Sequence, residues 1–192
     1  METGRTTISR ANAHVTYPAR FQCIAAMNPC RCGYLGDAPR ECGRAPRCGD
    51  DYRMRLSGPL LDRMDLAIEV QPVPASELAH APPGETSASV AARIAAARQR
   101  QRDRYGEAGP RCNAAAEGAV LERSLQAEPA ARLLAEQAAD RLRLSARGYT
   151  RMLRVARTIA DLAASEPVLR AHLAEALAFR HRAPVPAAAV GG

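Results

Sequence analysis

Phe21-Gln22-Cys23-Ile24-Ala25-Ala26-Met27 is a short apolar run that stops at Asn28-Pro29. The run is too short for a helix, and an Asn-Pro pair favours a turn, so it reads as a buried strand ending in a polar amide. Upstream, Thr6 to Tyr17 holds two β-prone pieces, around Ile8 and around Val15. The intervening Ala11-Asn12-Ala13 makes them a candidate hairpin. Downstream, Cys30 to Asp51 is a loop rich in Gly, Pro, Cys and Arg. Leu66-Ala67-Ile68-Glu69-Val70 is a second strand candidate, ended by Gln71-Pro72-Val73-Pro74. Four prolines between Pro72 and Pro83 mark a domain boundary, because neither a helix interior nor a central strand accepts them.

Beyond that boundary the pattern is helical. Thr86 or Ser87 can cap a helix running to about Tyr105, with Val90, Ile94 and Ala97 on one face, and Gly106 and Gly109-Pro110 end it. Weaker signals cover Ala114 to Leu125 and Pro129 to Leu142. Ser145 caps the clearest helix, where Tyr149, Met152, Leu153, Ala156, Ile159, Ala160 and Ala163 recur at helical spacing. Pro167 starts a last helix through Leu169, Leu173, Leu177 and Phe179. The expected organisation is α+β: an α/β portion with a Cys-rich loop over 1–74, a Pro-rich linker over 75–84, a helical domain over 85–182 and a disordered tail over 183–192.

Composition narrows the chemistry. Of the 192 residues 47% are hydrophobic, enough for a buried core, and aromatics are scarce. All 27 basic residues are arginine, and the chain has no lysine. A P-loop is thereby excluded, since its lysine must reach the β- and γ-phosphates. The net charge of +7 suits an anionic partner, nucleic acid or nucleotide; biased codon usage is an alternative source of an Ala- and Arg-rich chain. No stretch approaches the ~18 apolar residues of a membrane span, so a cytoplasmic protein with reduced thiols is expected.

Several residues carry potential chemistry. Asn28 either presents its amide at the end of a strand or simply caps a turn before Pro29. Arg63 lies between Asp62 and Asp65, just before a strand; it can pair locally, or meet an oxyanion in bidentate fashion. Arg147, Arg151 and Arg154 share one helix face opposite the apolar stripe, and a solvated face is their default reading. Cys30, Cys32, Cys42 and Cys48 place four thiols within a short Gly-rich loop. Four thiolates can close a tetrahedral zinc site, although this spacing departs from paired C-x2-C knuckles. Cys23 and Cys112 read as ordinary reduced thiols. His14, His80, His172 and His181 are scattered, and no Gly-x-Ser-x-Gly elbow supports a serine hydrolase.

Four stretches extend this reading: Thr7-Ile8-Ser9-Arg10-Ala11-Asn12, Tyr17-Pro18-Ala19-Arg20-Phe21, Ala25-Ala26-Met27-Asn28-Pro29-Cys30 and Ser57-Gly58-Pro59-Leu60-Leu61-Asp62-Arg63-Met64-Asp65. They resemble the magnesium-chelatase-like AAA+ proteins of the ComM/YifB family. Leu144-Ser145-Ala146-Arg147 and Leu153-Arg154-Val155-Ala156-Arg157-Thr158-Ile159-Ala160-Asp161-Leu162 are similar to that family's C-terminal domain. The resemblance covers residues 2–182. It implies an incomplete AAA+ α/β core, comprising a pre-sensor hairpin, a sensor 1 strand and an arginine-finger strand, followed by an α-helical lid. It assigns sensor 1 to Asn28, the arginine finger to Arg63 and sensor 2 to Arg147. Family members often carry a second C-x-C pair; Arg44 interrupts it here, so Cys48 would have to substitute.

The family further implies ATP with Mg2+, a homo-hexamer, and ATP-driven DNA remodelling such as branch migration. The Lon-protease-like domain, P-loop and Asp-Glu strand that it places upstream lie outside these residues. The first expectation is therefore a C-terminal portion lacking Walker A and B, inactive alone and dependent on its N-terminal ATPase half. The alternative is an ATP-independent DNA- or protein-binding module using the Cys loop and the hairpin arginines Arg5, Arg10 and Arg20. The strands around Ile24 and Ile68 lose their neighbours in such a portion, so the region after Pro83 is expected to be the more autonomous fold.

Overall fold

The computed structural model describes residues 4–37, 39–71, 73 and 80–180. The chain divides into two compact units, Met1–Arg63 and Met64–Gly192. Residues 75–79 of the expected 75–84 linker, and the whole of the expected 183–192 tail, lie outside the described residues.

In the first unit, alternating β-prone residues form a hairpin of β1 (Arg5–Arg10) and β2 (Ala13–Pro18). Its antiparallel register pairs Ile8 with Val15 and Thr6 with Tyr17. The period-2 alternation puts Ile8, Val15 and Tyr17 on one face. On the other, the Thr7 and Thr16 hydroxyls bond at 3.0 Å and Ser9 Oγ meets His14 Nδ1 at 2.8 Å. All twelve strand residues are exposed. Beyond the loop come two short helices, α1 (Arg47–Arg53) and α2 (Gly58–Leu61). Ser57 caps α2, its Oγ accepting from Leu60 N–H at 3.3 Å, with Pro59 in the first turn.

The expected strand over Phe21–Met27 does not form: the segment is irregular and exposed, with Ile24 87% accessible. Leu66–Val70 is likewise not a strand, and Ile68 and Val70 are exposed. The physical reason is the same for both. A strand needs a neighbour for its backbone groups and a layer over its apolar side chains, and among the described residues only β1 and β2 pair. The fold is thus α+β, with a single two-stranded sheet among the described residues.

The second unit contains α3 (Ser87–Tyr105), a 3-10 turn (Asn113–Ala115), α4 (Gly118–Leu125), α5 (Pro129–Arg141), α6 (Ala146–Leu162) and α7 (Arg170–Ala178). Thr86 caps α3 through Ser89 N–H, and Gly106 at φ +64° ends it. Ser145 caps α6 through Gly148 N–H at 3.0 Å. Helix α6 is central, packing against α3, the 3-10 turn, α4 and α7. Its stripe supplies buried Met152, Leu153, Ala156 and Ala160, which join Leu121, Leu125, Ala135, Val168, Leu173 and Ala176 in the core. The face expected on α3 is only partly used: Ala97 is buried, but Ile94 is about half exposed and Gln101 is buried instead. Residues 64–71 belong to this unit, with Ala67 N–H donating to Phe179 O at 2.8 Å.

Candidate functional site

Asn28 is exposed and sits in irregular chain, immediately before the turn that carries the thiols. Cys30 is buried and its Sγ lies 3.1 Å from that of Cys32. The Sγ atoms of Cys30, Cys32 and Cys48 all fall within 4.8 Å of one another, close enough to hold a metal ion. Cys42, in the same loop, interacts with the Cys32 and Cys48 thiols but its sulfur is not one of the clustered three. Crowding spreads the thiol acidities apart. The hydrogen bond from Cys32 brings Cys30 down to about 7, whereas burial pushes Cys48 up to about 12. Gly49 allows the close approach: a Cβ there would lie 2.5 Å from Leu35 Cδ2 and 3.4 Å from the Pro29 carbonyl.

Arg63 follows the Ser57-capped turn, and its guanidinium donates to the Pro59 carbonyl at 2.6 Å. Asp65, one of the two carboxylates expected beside it, is bonded to Arg151 of α6. Asn28, Arg63 and the four cysteines belong to the first unit; Arg147 belongs to the second.

On α6 the expected solvated arginine face is only partly solvated. Arg147 is exposed in the first turn. Arg151 and Arg154 are largely covered, with side chains 11% and 14% accessible. Arg154 Nε donates to the Ala116 carbonyl at 2.8 Å, tying α6 to the loop before α4. Long stems pack along apolar surface while their heads find protein acceptors, a burial that helical spacing alone does not predict.

The residue reading missed a buried polar network. Arg157 and Asp161 are both fully buried and pair at 3.1 Å. Arg157 also reaches the Ser124 and Leu125 carbonyls at the end of α4, and the Ser165 and Glu166 carbonyls after α6. It thereby occupies the negative end of α4, where orphan carbonyls need donors. Asp161 accepts from Arg104 of α3 and from Asn113 Nδ2 at 2.8 Å. Asn113 in turn accepts from Tyr105 Oη at 2.8 Å and receives its own backbone partner in Gln101. Burial would raise the Asp161 carboxyl, but hydrogen bonds from Arg104 and Asn113, with the charge of Arg157, hold it below its ordinary value. The sequence contains a signal for this: Leu153, Arg157 and Asp161 follow at i, i+4 and i+8, on the apolar stripe.

No helix among the described residues is long and apolar enough to cross a membrane. Comparison with known proteins gives two matches along the chain. Residues 84–180 match the family described as magnesium chelatase, subunit ChlI C-terminal, and residues 1–78 match magnesium chelatase, subunit ChlI. The chain is 42% identical over 182 residues to competence protein ComM of Haemophilus influenzae, covering 94% of this chain and 34% of that protein. It is 39% identical to the uncharacterized protein YifB of Escherichia coli, over 94% of this chain and 35% of that one. An uncharacterized Mycobacterium tuberculosis protein is 38% identical over the same shares. The chain spans about a third of the length of these relatives. With both of its halves matched in order, this chain belongs to the magnesium chelatase ChlI family, among relatives of the ComM and YifB type.

Proposed function

We propose that this chain supplies the sensor, finger and lid elements of an ATP-driven ring that remodels DNA. The observation that carries the reading is the ordered match of its two parts to the two ChlI families. The 192 residues hold no lysine, so a P-loop lysine has to come from outside them. In this reading Asn28 positions the water that attacks the γ-phosphate, and Arg63 neutralises charge developing on a neighbouring subunit's phosphate. Arg147 contacts nucleotide held by its own subunit. Its exposed place in the first turn of α6 supports this role. Mg2+ travels with ATP, and six copies make the ring.

Arg63 must leave the Pro59 carbonyl to act in trans, and a charge-assisted hydrogen bond of this kind, about 1.5–3 kcal/mol, is offset by the charge it would meet on a phosphate. The test replaces the corresponding third of ComM with this chain and measures ATP turnover. The chain alone is expected to be inactive and the chimera active, with Arg63→Ala lowering kcat by about 10³-fold. Turnover by the isolated chain, or an Arg63→Ala chimera with unchanged kcat, would refute the reading.

The full exposure of the hairpin favours a second reading, ATP-independent DNA binding through Arg5, Arg10 and Arg20. Fluorescence anisotropy with labelled DNA separates the two. A salt-dependent affinity that survives Arg63→Ala and ignores ATP supports the binding module.

A further inference from the structure

The thiol loop is the most built feature of the first unit. Backbone N–H groups converge on its sulfurs: those of Gly33, Tyr34 and Leu35 on Cys30, and that of Arg44 on Cys42. Gly33, at φ +84°, closes the Cys30 turn with its N–H on the Cys30 carbonyl at 3.2 Å.

The geometry points to a closed structural zinc site formed by Cys30, Cys32, Cys42 and Cys48. Zinc–thiolate bonds of about 2.3 Å place the sulfurs of a tetrahedron about 3.8 Å apart. Cys30 and Cys32 lie at 3.1 Å, and these two with Cys48 span no more than 4.8 Å, so shifts of about 1 Å or less complete three corners. Cys42 lies outside that trio but interacts with the Cys32 and Cys48 thiols, and it moves in to supply the fourth corner. Four thiolates leave the Zn2+ site with a net charge of −2. Between residues 30 and 55 six arginines face four carboxylates, an excess that offsets this charge. Softness of the ligands and tetrahedral closure favour zinc over magnesium or calcium. With no open position the ion does no chemistry of its own. It clasps the chain just after Asn28 to the start of α1, where Gly49 packs on the Pro29 carbonyl. The site thus links the Asn28 turn to the segment leading to Arg63.

The test uses the full chain purified without chelators. Metal analysis is expected to give about one zinc per chain, and cobalt substitution to give the intense visible bands of a tetrahedral tetrathiolate. Cys42→Ser should weaken and shift those bands, and Cys48→Ser should weaken zinc binding by more than the 10–100-fold typical of a lost outer-shell partner. Cys112→Ser should leave both unchanged. Stripping zinc should speed trypsin cleavage after Arg31, Arg40 and Arg44 by at least about tenfold while α6 stays folded. Zinc below about a tenth per chain with no cobalt–thiolate bands, or a Cys30–Cys32 disulfide in the freshly purified protein, would overturn the proposal. A cobalt spectrum unchanged by Cys42→Ser would remove the fourth ligand and the closed site with it. None of these readouts depends on ATP turnover, so the site and the ATPase reading fail separately.

Discussion

Arg157→Ala is expected to be the most damaging single substitution in the helical unit. The guanidinium is fully buried, pairs with buried Asp161 at 3.1 Å and serves carbonyls from the ends of both α4 and α6. Breaking a buried pair by removing one partner costs about 3–5 kcal/mol. Two features place this case near the lower end. Arg104 still pairs with Asp161, and the Leu125 carbonyl keeps the Val168 N–H at 3.2 Å. A loss of about 3 kcal/mol in a helical unit of this size lowers the melting temperature by roughly 12–24 °C, at about 4–8 °C per kcal/mol. Thermal and urea denaturation followed by helical circular dichroism at 222 nm measures it. Arg93→Ala serves as the reference, because the Arg93–Glu85 pair is about half exposed on both sides and solvent screening leaves it little to contribute. If Arg157→Ala costs no more than Arg93→Ala, the assignment of the buried network as the anchor of α6 is wrong. Arg157→Met, which restores stem packing without the charge, should recover only part of the loss if the carbonyl and carboxylate partners dominate.

Other outcomes follow from the same contacts. Asp161 has its folded value below the ordinary 3.8, so its contribution is fully present above that value and is lost as the pH falls through the lower folded one. Melting temperature should therefore drop steeply at acid pH, and Asp161→Asn should flatten that part of the profile while lowering stability at neutral pH. Ser145→Ala removes the Gly148 N–H acceptor at the start of α6 and should cost about 1 kcal/mol; an unchanged urea midpoint would show that the cap contributes nothing. In the ComM chimera, Arg147→Ala should raise KM for ATP, since this side chain is assigned to nucleotide in its own subunit; an unchanged KM would discard that role.

The helical unit was largely legible in the residues because its information is local. Thr86 and Ser145 cap where their side-chain oxygens suggest, Gly106 stops α3, and the apolar stripe of α6 faces inward. The i, i+4 ladder closes within one segment, so capping and periodicity are enough. The hairpin was legible for a similar reason, its two strands being neighbours in sequence. The runs around Ile24 and Ile68 have β-like composition but no strand structure. A strand is completed by backbone partners elsewhere, and apolar residues alone do not supply them.

For the site, residue types and order identified the candidates, while their surroundings did not follow from either. Sequence alone determined that no lysine is present, that four thiols share one loop, and that the motifs run in the order of the ChlI family. Tertiary structure decided which charges are solvent and which are core. It drew three thiols within 4.8 Å, turned Arg63 onto Pro59, covered Arg151 and Arg154, and buried Arg157 against Asp161. The division has a physical cause: local rules fix a helix and its caps, whereas the surroundings of a long polar side chain depend on segments that arrive from far along the chain.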